Sequence, residues 1–481
     1  MDDNSNENAN TDSVENQTSL DLINGPVNVV RLEGEIEGVH KVLYLFFDTH
    51  LRRTSQSKCD NIFATDIQHY LVDNLMNKPN SGNKTYDFFM ETDPIDFPEA
   101  KLYIDADGYI WSVNKVFARL FKKEGLIEVS NDISNEISNE TPIETTPETS
   151  IETPNPLTNP IPSTGSKMVS SPGFDNVRLH FMDIRDYLER MDVGFNGGRK
   201  RSTMAIIDSF MGSFFNKKIN RELDFITIAS FRDFLKQLLS SATLILEIMK
   251  SSMGPDFIPA KESVIKLVDI ERNSAYEEKF LEYMENLTKK MVTSYSHPKV
   301  KSDLEPMIEQ IMGKFEMWIS YLNEVITHLE RISNIPKFKN RLVNYGQTVI
   351  SKSSSSYVYF MPVEVSGIYA YELFDISTKI SATHTKTYSY FMDLYFYRRF
   401  LDKSYITNGI VYAGANHCLR YMYYLVSKFD FEITHVAKSK IKGILEINAL
   451  VKNAKSAECV AKNFDSDLQC SDLSDFPRDF L

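Results

Sequence analysis

Four apolar runs in this sequence stop at polar side chains of the kinds that move protons or bind metals. Lys41–His50 (Lys-Val-Leu-Tyr-Leu-Phe-Phe-Asp-Thr-His) closes on Asp48 and His50, and Tyr86–Met90 closes on Glu91. Asn176–Asp186 runs through His180 into Asp183 and Arg185, and Gly409–His417 (Gly-Ile-Val-Tyr-Ala-Gly-Ala-Asn-His) ends at His417. A strand covered on both faces exposes only its ends, so polar groups placed there meet the solvent-filled crevice. Where such strands run parallel, their carboxyl ends share one edge of the sheet, the edge where ligands bind in open α/β folds. Two imidazoles, a carboxylate and a guanidinium gathered there suit two chemistries. One is a divalent metal held by His50, Glu91 and His417. The other is a general base activating water, with arginine stabilising an oxyanion. Each residue alone also has a plainer role: a hydrogen-bonded strand-end histidine, a carboxylate capping the turn at Pro94, a solvated ion pair for Asp183 with Arg185 or Asp393 with Arg398.

The elements that must position these groups are written in the spacing. Ile410, Val411 and Tyr412 read as a buried strand, Ala413–Ala415 as a turn, Cys418–Lys428 as a helix and Phe431 onward as another extended piece. His417 then sits at the carboxyl end of the first strand. Thr385–Phe400 reads as a Tyr-rich helix carrying Asp393, Arg398 and Arg399 into that unit, Arg399 standing in should Arg398 miss the shared face. Near the start, Val27–Arg31 reads as a strand and Ala64–Met76 as a helix capped by Thr65, with Ile67, Tyr70, Leu71 and Leu75 on one face. Asp105–Gly108 makes a turn, and Tyr109–Lys123 follows as a helix. Met204–Val349 has helical periodicity almost throughout, with a capping-box pattern at Ser302–Glu305 ahead of Ile308, Ile311, Phe315, Trp318 and Leu322. Gly194–Arg201 is glycine-rich and basic but lacks the Gly-Lys-Ser/Thr of a phosphate loop, and reads as a loop before a helix.

The expected fold is α/β, a mostly parallel central sheet with a large all-helical insertion and disordered tails and linker. The boundaries are an acidic disordered tail over 1–26, the first half of the core over 27–128, and a Thr/Pro/Glu/Ser-rich disordered linker over 129–172. A core segment over 173–203, the helical insertion over 204–350, the second half of the core over 351–453 and an acidic disordered tail over 454–481 complete it. The formal net charge of −13 over 481 residues argues against a duplex nucleic-acid binder. The scattered Cys59, Cys418, Cys459 and Cys470 form no CxxC pair, which fits a reducing compartment and gives no zinc spacing. No apolar run approaches the roughly 20 residues of a membrane span, and the polar amino terminus does not read as a signal peptide.

The order of these motifs resembles the TraB/Tiki group and, more distantly, the erythromycin-esterase/ChaN-like fold. In that group an early strand ends in Gly-x-x-His, a second strand ends in Glu, and a late Gly-x-x-His follows a helix with an acidic residue and Arg. Gly414-Ala-Asn-His417 matches the late motif, and Phe47-Asp-Thr-His50 lies at the early one. Tyr86–Glu91 stands at the second strand, and Asp393 and Arg398 at the preceding helix's polar pair. Phe47 takes the place of the first motif's Gly, which keeps the backbone there from approaching a ligand as closely. The resemblance spans Val27–Lys123 and Phe174–Val436. It implies a hydrolase in which His50, Glu91 and His417 bind a divalent metal or activate water for peptide or ester hydrolysis, with Arg185, Asp393 and Arg398 around them. The rival class is a catalytically inactive interaction or virion-associated protein on the same fold. The residue bias and the low-complexity linker also resemble giant-virus proteins, which implies the host cytoplasm or the virion as the setting.

Overall fold

The computed structural model describes residues 21–51, 59–75, 84–91, 108–122, 176–184, 207, 228–253, 274–333, 348–350, 359–361, 368–464, 466 and 468–480. The Gly194–Arg201 loop, the Ser130–Ser171 linker, Arg185 and the first 20 residues lie outside the described residues.

In chain order the elements begin with β1 (Leu22–Asn24), β2 (Asn28–Ile36), β3 (Val39–Asp48), β4 (Thr65–Asp66), α1 (Ile67–Leu75), β5 (Tyr86–Met90), α2 (Tyr109–Lys122) and β6 (Val177–Phe181). The long helices α3 (Ile228–Met253), α4 (Ser274–Thr293) and α5 (Pro298–Ser333) follow, then a ribbon of β7 (Thr348–Ile350) and β8 (Tyr359–Met361). The last part holds α6 (Ile368–Asp402), β9 (Asn408–Gly414), α7 (Ala415–Lys428), β10 (Glu432–Val436), α8 (Ile444–Asn453), α9 (Ala457–Phe464) and β11 (Cys470–Asp472).

Among the described residues the main sheet has six strands in the order β10-β2-β3-β9-β5-β6. β3, β9, β5 and β6 pair in parallel, while β2 runs against both β3 and β10. The α/β fold is as the sequence predicts, but the sheet is mixed rather than mostly parallel. The reversal is local: Glu37 (φ 49°) and Gly38 (φ 78°) turn the chain straight from β2 back into β3, a hairpin that needs no crossover helix.

The continuous apolar runs have their cause in two covered faces. Along β3, Leu43, Leu45 and Phe47 join one core, and Val42, Tyr44 and Phe46 the other. β9 divides likewise, Val411 and Ala413 against Ile410 and Tyr412. Successive strand side chains alternate faces, so a strand apolar on both sides needs a layer on each. The first layer is helical: α3, α5, α6 and α7 bury Leu238, Ile308, Phe315, Trp318, Phe396 and Tyr421 in one core with the sheet. The second is α1, α2 and the C-terminal segment. No helix among the described residues is long and apolar enough to cross a membrane.

Three expectations are corrected here. The 1–26 segment is not a disordered tail over its described residues, because Leu22–Asn24 forms β1, paired with β11 and β4 and burying Ile23. The 454–481 segment is not a disordered tail over its described residues. Its acidic residues space out Phe464, Leu473, Phe476 and Phe480, all buried, and Phe480 packs edge-on to Tyr44, Phe46, Tyr70 and Tyr86. The cysteines are also not all free thiols. Cys59 and Cys470, 411 positions apart, form a disulfide that ties the segment after β3 to β11, while Cys418 and Cys459 remain reduced. The small sheet β11-β1-β4 surrounds this bond. Its pairing of Thr65 and Asp66 with β1 delays the start of α1 to Ile67, past the expected Thr65 cap.

Candidate active site

The three central parallel strands end together. Asp48 closes β3 opposite Gly414, which closes β9, and Glu91 follows β5 with its N–H on the carbonyl of Tyr412. Strand parity puts Glu91 on the same face as Phe89, the helical face, where α6 and α7 lie.

His50 turns back over this edge. Its φ of 54° lies in the left-handed region, where histidine is among the more tolerated non-glycine residues. The turn is closed by Asp48, whose Oδ2 accepts the His50 backbone N–H at 2.7 Å and pairs with His50 Nδ1 at 2.7 Å. The buried Tyr412 hydroxyl donates to the other oxygen of Asp48 at 2.7 Å. Asp48 therefore fixes the orientation of the ring through Nδ1 and aims Nε2 at Glu91 Oε2, 3.3 Å away.

His417 approaches Glu91 from the other side. It lies in the first turn of α7, not in the loop that the Gly-Ala-Asn spacing suggested, because the helix starts at Ala415 directly after β9. Its Nδ1 pairs with Oδ1 of the fully buried Asp393 at 2.5 Å. Its Nε2 faces Glu91 Oε1 at 3.6 Å. Arg420, one helical turn on, binds Asp393 Oδ2 through Nε and Ser389 through Nη2. Glu91 thus has an imidazole at each oxygen, and each imidazole has a carboxylate behind it. Oε2 also accepts the Gly414 N–H at 2.6 Å.

The electrostatics follow from this crowding. Burial works against ionised Glu91, but His417, His50 and the Gly414 N–H outweigh it and hold its carboxyl well below the usual range. Asp393 is lowered in the same way, with Arg420 and His417 overcoming burial. For His50 burial favours the neutral ring, yet hydrogen bonds to Asp48 and Glu91 and their charges raise its pKa to about 10. At neutral pH His50 is an imidazolium. It is also the accessible member, its side chain 44% exposed against 9% for Glu91 and 11% for His417, so a ligand arrives over His50. The neighbouring Cys418 is no nucleophile, since burial pushes its thiol well up.

Of the residues singled out from the sequence, His50, Glu91, His417 and Asp393 come together. Two others do not. His180 is fully buried within the sheet, stacked on Phe89 at 4.5 Å and bonded at 2.7 Å to Asp87, which also holds Arg178. Asp87 lies four residues before Glu91, so this is a separate buried ion group inside the fold. Arg398 donates to the Ser294 carbonyl at 3.0 Å and stacks on Tyr295, turned toward the end of α4 and away from the site. Arg185 lies outside the described residues. Arg420, Tyr412 and Gly414 take parts that the sequence reading did not give them. Arg420 carried one usable signal, its spacing of three from His417 on a helix.

The metal expectation meets the same geometry. Among the described residues no three His, Cys, Asp or Glu side chains stand where they could hold one metal ion. Glu91 spends its oxygens on Gly414 and the two imidazoles, so the residues as arranged do not fit a divalent cation.

A histidine–carboxylate centre at the carboxyl edge of a mixed α/β sheet is thus what fold and site define. The chain belongs to the family described as "Family of unknown function (DUF5847)", matched over residues 21–139 and 164–481. It is 30% identical to "Uncharacterized protein R160" of Acanthamoeba polyphaga mimivirus, over 96% of this chain and 98% of that protein. Two further mimivirus proteins, R161 and R706, are each 28% identical, over 95% of this chain and 98% and 97% of theirs. No solved structure matches the chain.

Proposed function

We propose that this protein is a hydrolase that cleaves ester substrates by proton transfer between His417, His50 and water. The observation that supports this most directly is the pair of carboxylate-oriented imidazoles facing opposite oxygens of Glu91. Asp393 accepts the Nδ1–H hydrogen bond of His417, so that Nε2 is the nitrogen that acts as base when the ring is neutral. Water beside Glu91 gives that nitrogen a proton and adds to the substrate carbonyl. His50, already an imidazolium, lies on the open side, where it stabilises the oxyanion and then protonates the departing alkoxide. Proton transfer from His417 back to His50 resets the centre. Glu91 stays ionised and keeps the two rings apart in charge and position.

The reading accords with the resemblance to the TraB/Tiki and erythromycin-esterase-like groups, of which the second implies metal-free ester hydrolysis. A divalent-metal version of the same centre requires Glu91 to leave Gly414. A host-cytoplasmic or virion setting is the one we attach to it, given the mimivirus relatives. The competing reading is a structural ion cluster that joins three strand ends, in an interaction or virion-associated protein. It is favoured by one observation: Glu91 is already fully partnered.

The test is a panel of aryl and alkyl esters with the full chain, run with and without chelator, beside Glu91→Gln and His417→Ala. Turnover that chelator leaves intact and that falls by about 10²–10⁴ in His417→Ala supports the proposal. Absence of turnover on every ester, with both variants melting well below the parent, assigns the cluster to structure. Turnover lost to chelator and restored by zinc transfers the centre to metal chemistry.

A further inference from the structure

On the far side of His417 from Glu91, the helices bring a second group of charges together. Arg420 lies 3.1 Å from His417 Nδ1, and its guanidinium carbon is 4.9 Å from the centre of the Tyr390 ring on α6. Lys314 of α5 places its ammonium 4.2 Å from the centre of the same ring. Lys386, one turn before Tyr390, adds a third cation near enough to act on Lys314. The opposing carboxylates are Asp393, already taken by His417 and Arg420, and Glu458 at the start of α9. Lys314 Nζ and Arg420 Nη1 have no hydrogen-bond acceptor among the described residues.

Two cations thus share one aromatic ring, and the exposed Lys386 adds a third positive charge beside Lys314. Like charges at this spacing repel, and the repulsion is felt: burial first, then Lys386 and Arg420, lower the pKa of Lys314. Donors left without acceptors beside a ring face, with excess positive charge, are complementary to an oxyanion. We propose that Lys314 and Arg420 on the Tyr390 ring, with Lys386 beside Lys314, form an oxyanion-binding site for the carboxylate or phosphate group of a ligand. The site has a direct line to the centre. An anion drawn to Arg420 competes with Asp393 for the same guanidinium, and Asp393 is what orients His417. Binding itself does not rest on the hydrolase reading; assigning the anion to the substrate does.

The experiment is calorimetric titration of the full chain at low salt with inorganic phosphate and with succinate. The expected result is saturable binding of at least one anion, weakened by added sodium chloride. Lys314→Met and Lys386→Met should each weaken it about fivefold, the loss of one ion contact near water. Lys236→Met, which removes a surface lysine paired with Glu330, should leave it unchanged. No binding of either anion, or full-strength binding by Lys314→Met, overturns the proposal. Two sources of the anion are then separated by comparing a neutral aryl ester with one bearing a carboxylate. A preference for the charged ester that Lys314→Met abolishes assigns the anion to the substrate. Anion binding without such a preference, or without any ester turnover, assigns it to a free anion and leaves the hydrolase reading to the Glu91 test.

Discussion

The charge state of His50 is the most exposed consequence of the site's geometry. Its pKa near 10 stands above the ordinary value of about 6.5 for histidine. A group whose pKa is raised on folding adds stability that is complete below its unfolded value and is lost as pH climbs through its folded one. The stability difference between the parent and His50→Gln should therefore shrink from about pH 6.5 to about pH 10, read by urea unfolding at intervals across that range. Imidazole NMR titration should show His50 still protonated at pH 8, and Glu91→Gln should move its titration toward neutrality. A ring titrating near pH 6.5 in the parent would contradict the arrangement. Gly414 gives a second test. A Cβ there would stand 2.9 Å from His50 Nε2 and 3.4 Å from Glu91 Oε2. Gly414→Ala should displace the ring and cost on the order of 10²-fold in turnover, with little change in melting temperature. His50, Glu91 and His417 were legible in the sequence because each closes a continuous apolar run. Arg398 was misread because its partner was sought along one helix. Five positions from Asp393 it faces another way, and the arginine that reaches Asp393 comes from the next helix.

At the scale of elements, one carboxylate couples α6 to α5. Asp402, the last residue of α6, accepts the backbone N–H groups of Ser296 at 2.7 Å and His297 at 2.9 Å, just ahead of Pro298 where α5 begins. These groups have no helical partner, and a carboxylate there also complements the helix dipole. Asp402→Ala should cost about 1–2 kcal/mol of stability in urea unfolding, and an unchanged midpoint would show the cap to be idle. Lys41 performs a related service where α6 turns into β9, its buried ammonium donating to the carbonyls of Lys403 and Ile406. The strand and helix runs of this region were legible from periodicity. The direction of β2 was not, because alternation in one strand says nothing of which way its neighbour runs. His180 was misplaced for a related reason: its partner Asp87 sits on the adjacent strand, and pairing between strands leaves no mark in spacing along one of them.

At the scale of the whole chain, the family match breaks between residues 139 and 164, inside the Thr/Pro/Glu-rich stretch. The composition of this stretch leads us to expect no packed structure, so deleting Glu140–Pro162 should leave the melting temperature nearly unchanged, since closure entropy varies only slowly with length. A fall of many degrees would show that the stretch packs. The C-terminal segment hid its packing differently. Leu473, Phe476 and Phe480 stand three and four apart, but Pro477 and the acidic residues around them break that period, and only the folded chain supplies Tyr44, Phe46, Tyr70 and Tyr86 for Phe480 to meet. The same segment ends the long loop closed by Cys59 and Cys470. That loop makes most of the polypeptide a covalent ring. A protease that cuts once anywhere between the two cysteines opens the ring without releasing a fragment. The nicked protein should run as a single species on a non-reducing gel and separate into two pieces only after a thiol reductant is added, so integrity of the chain and integrity of the molecule become separate properties.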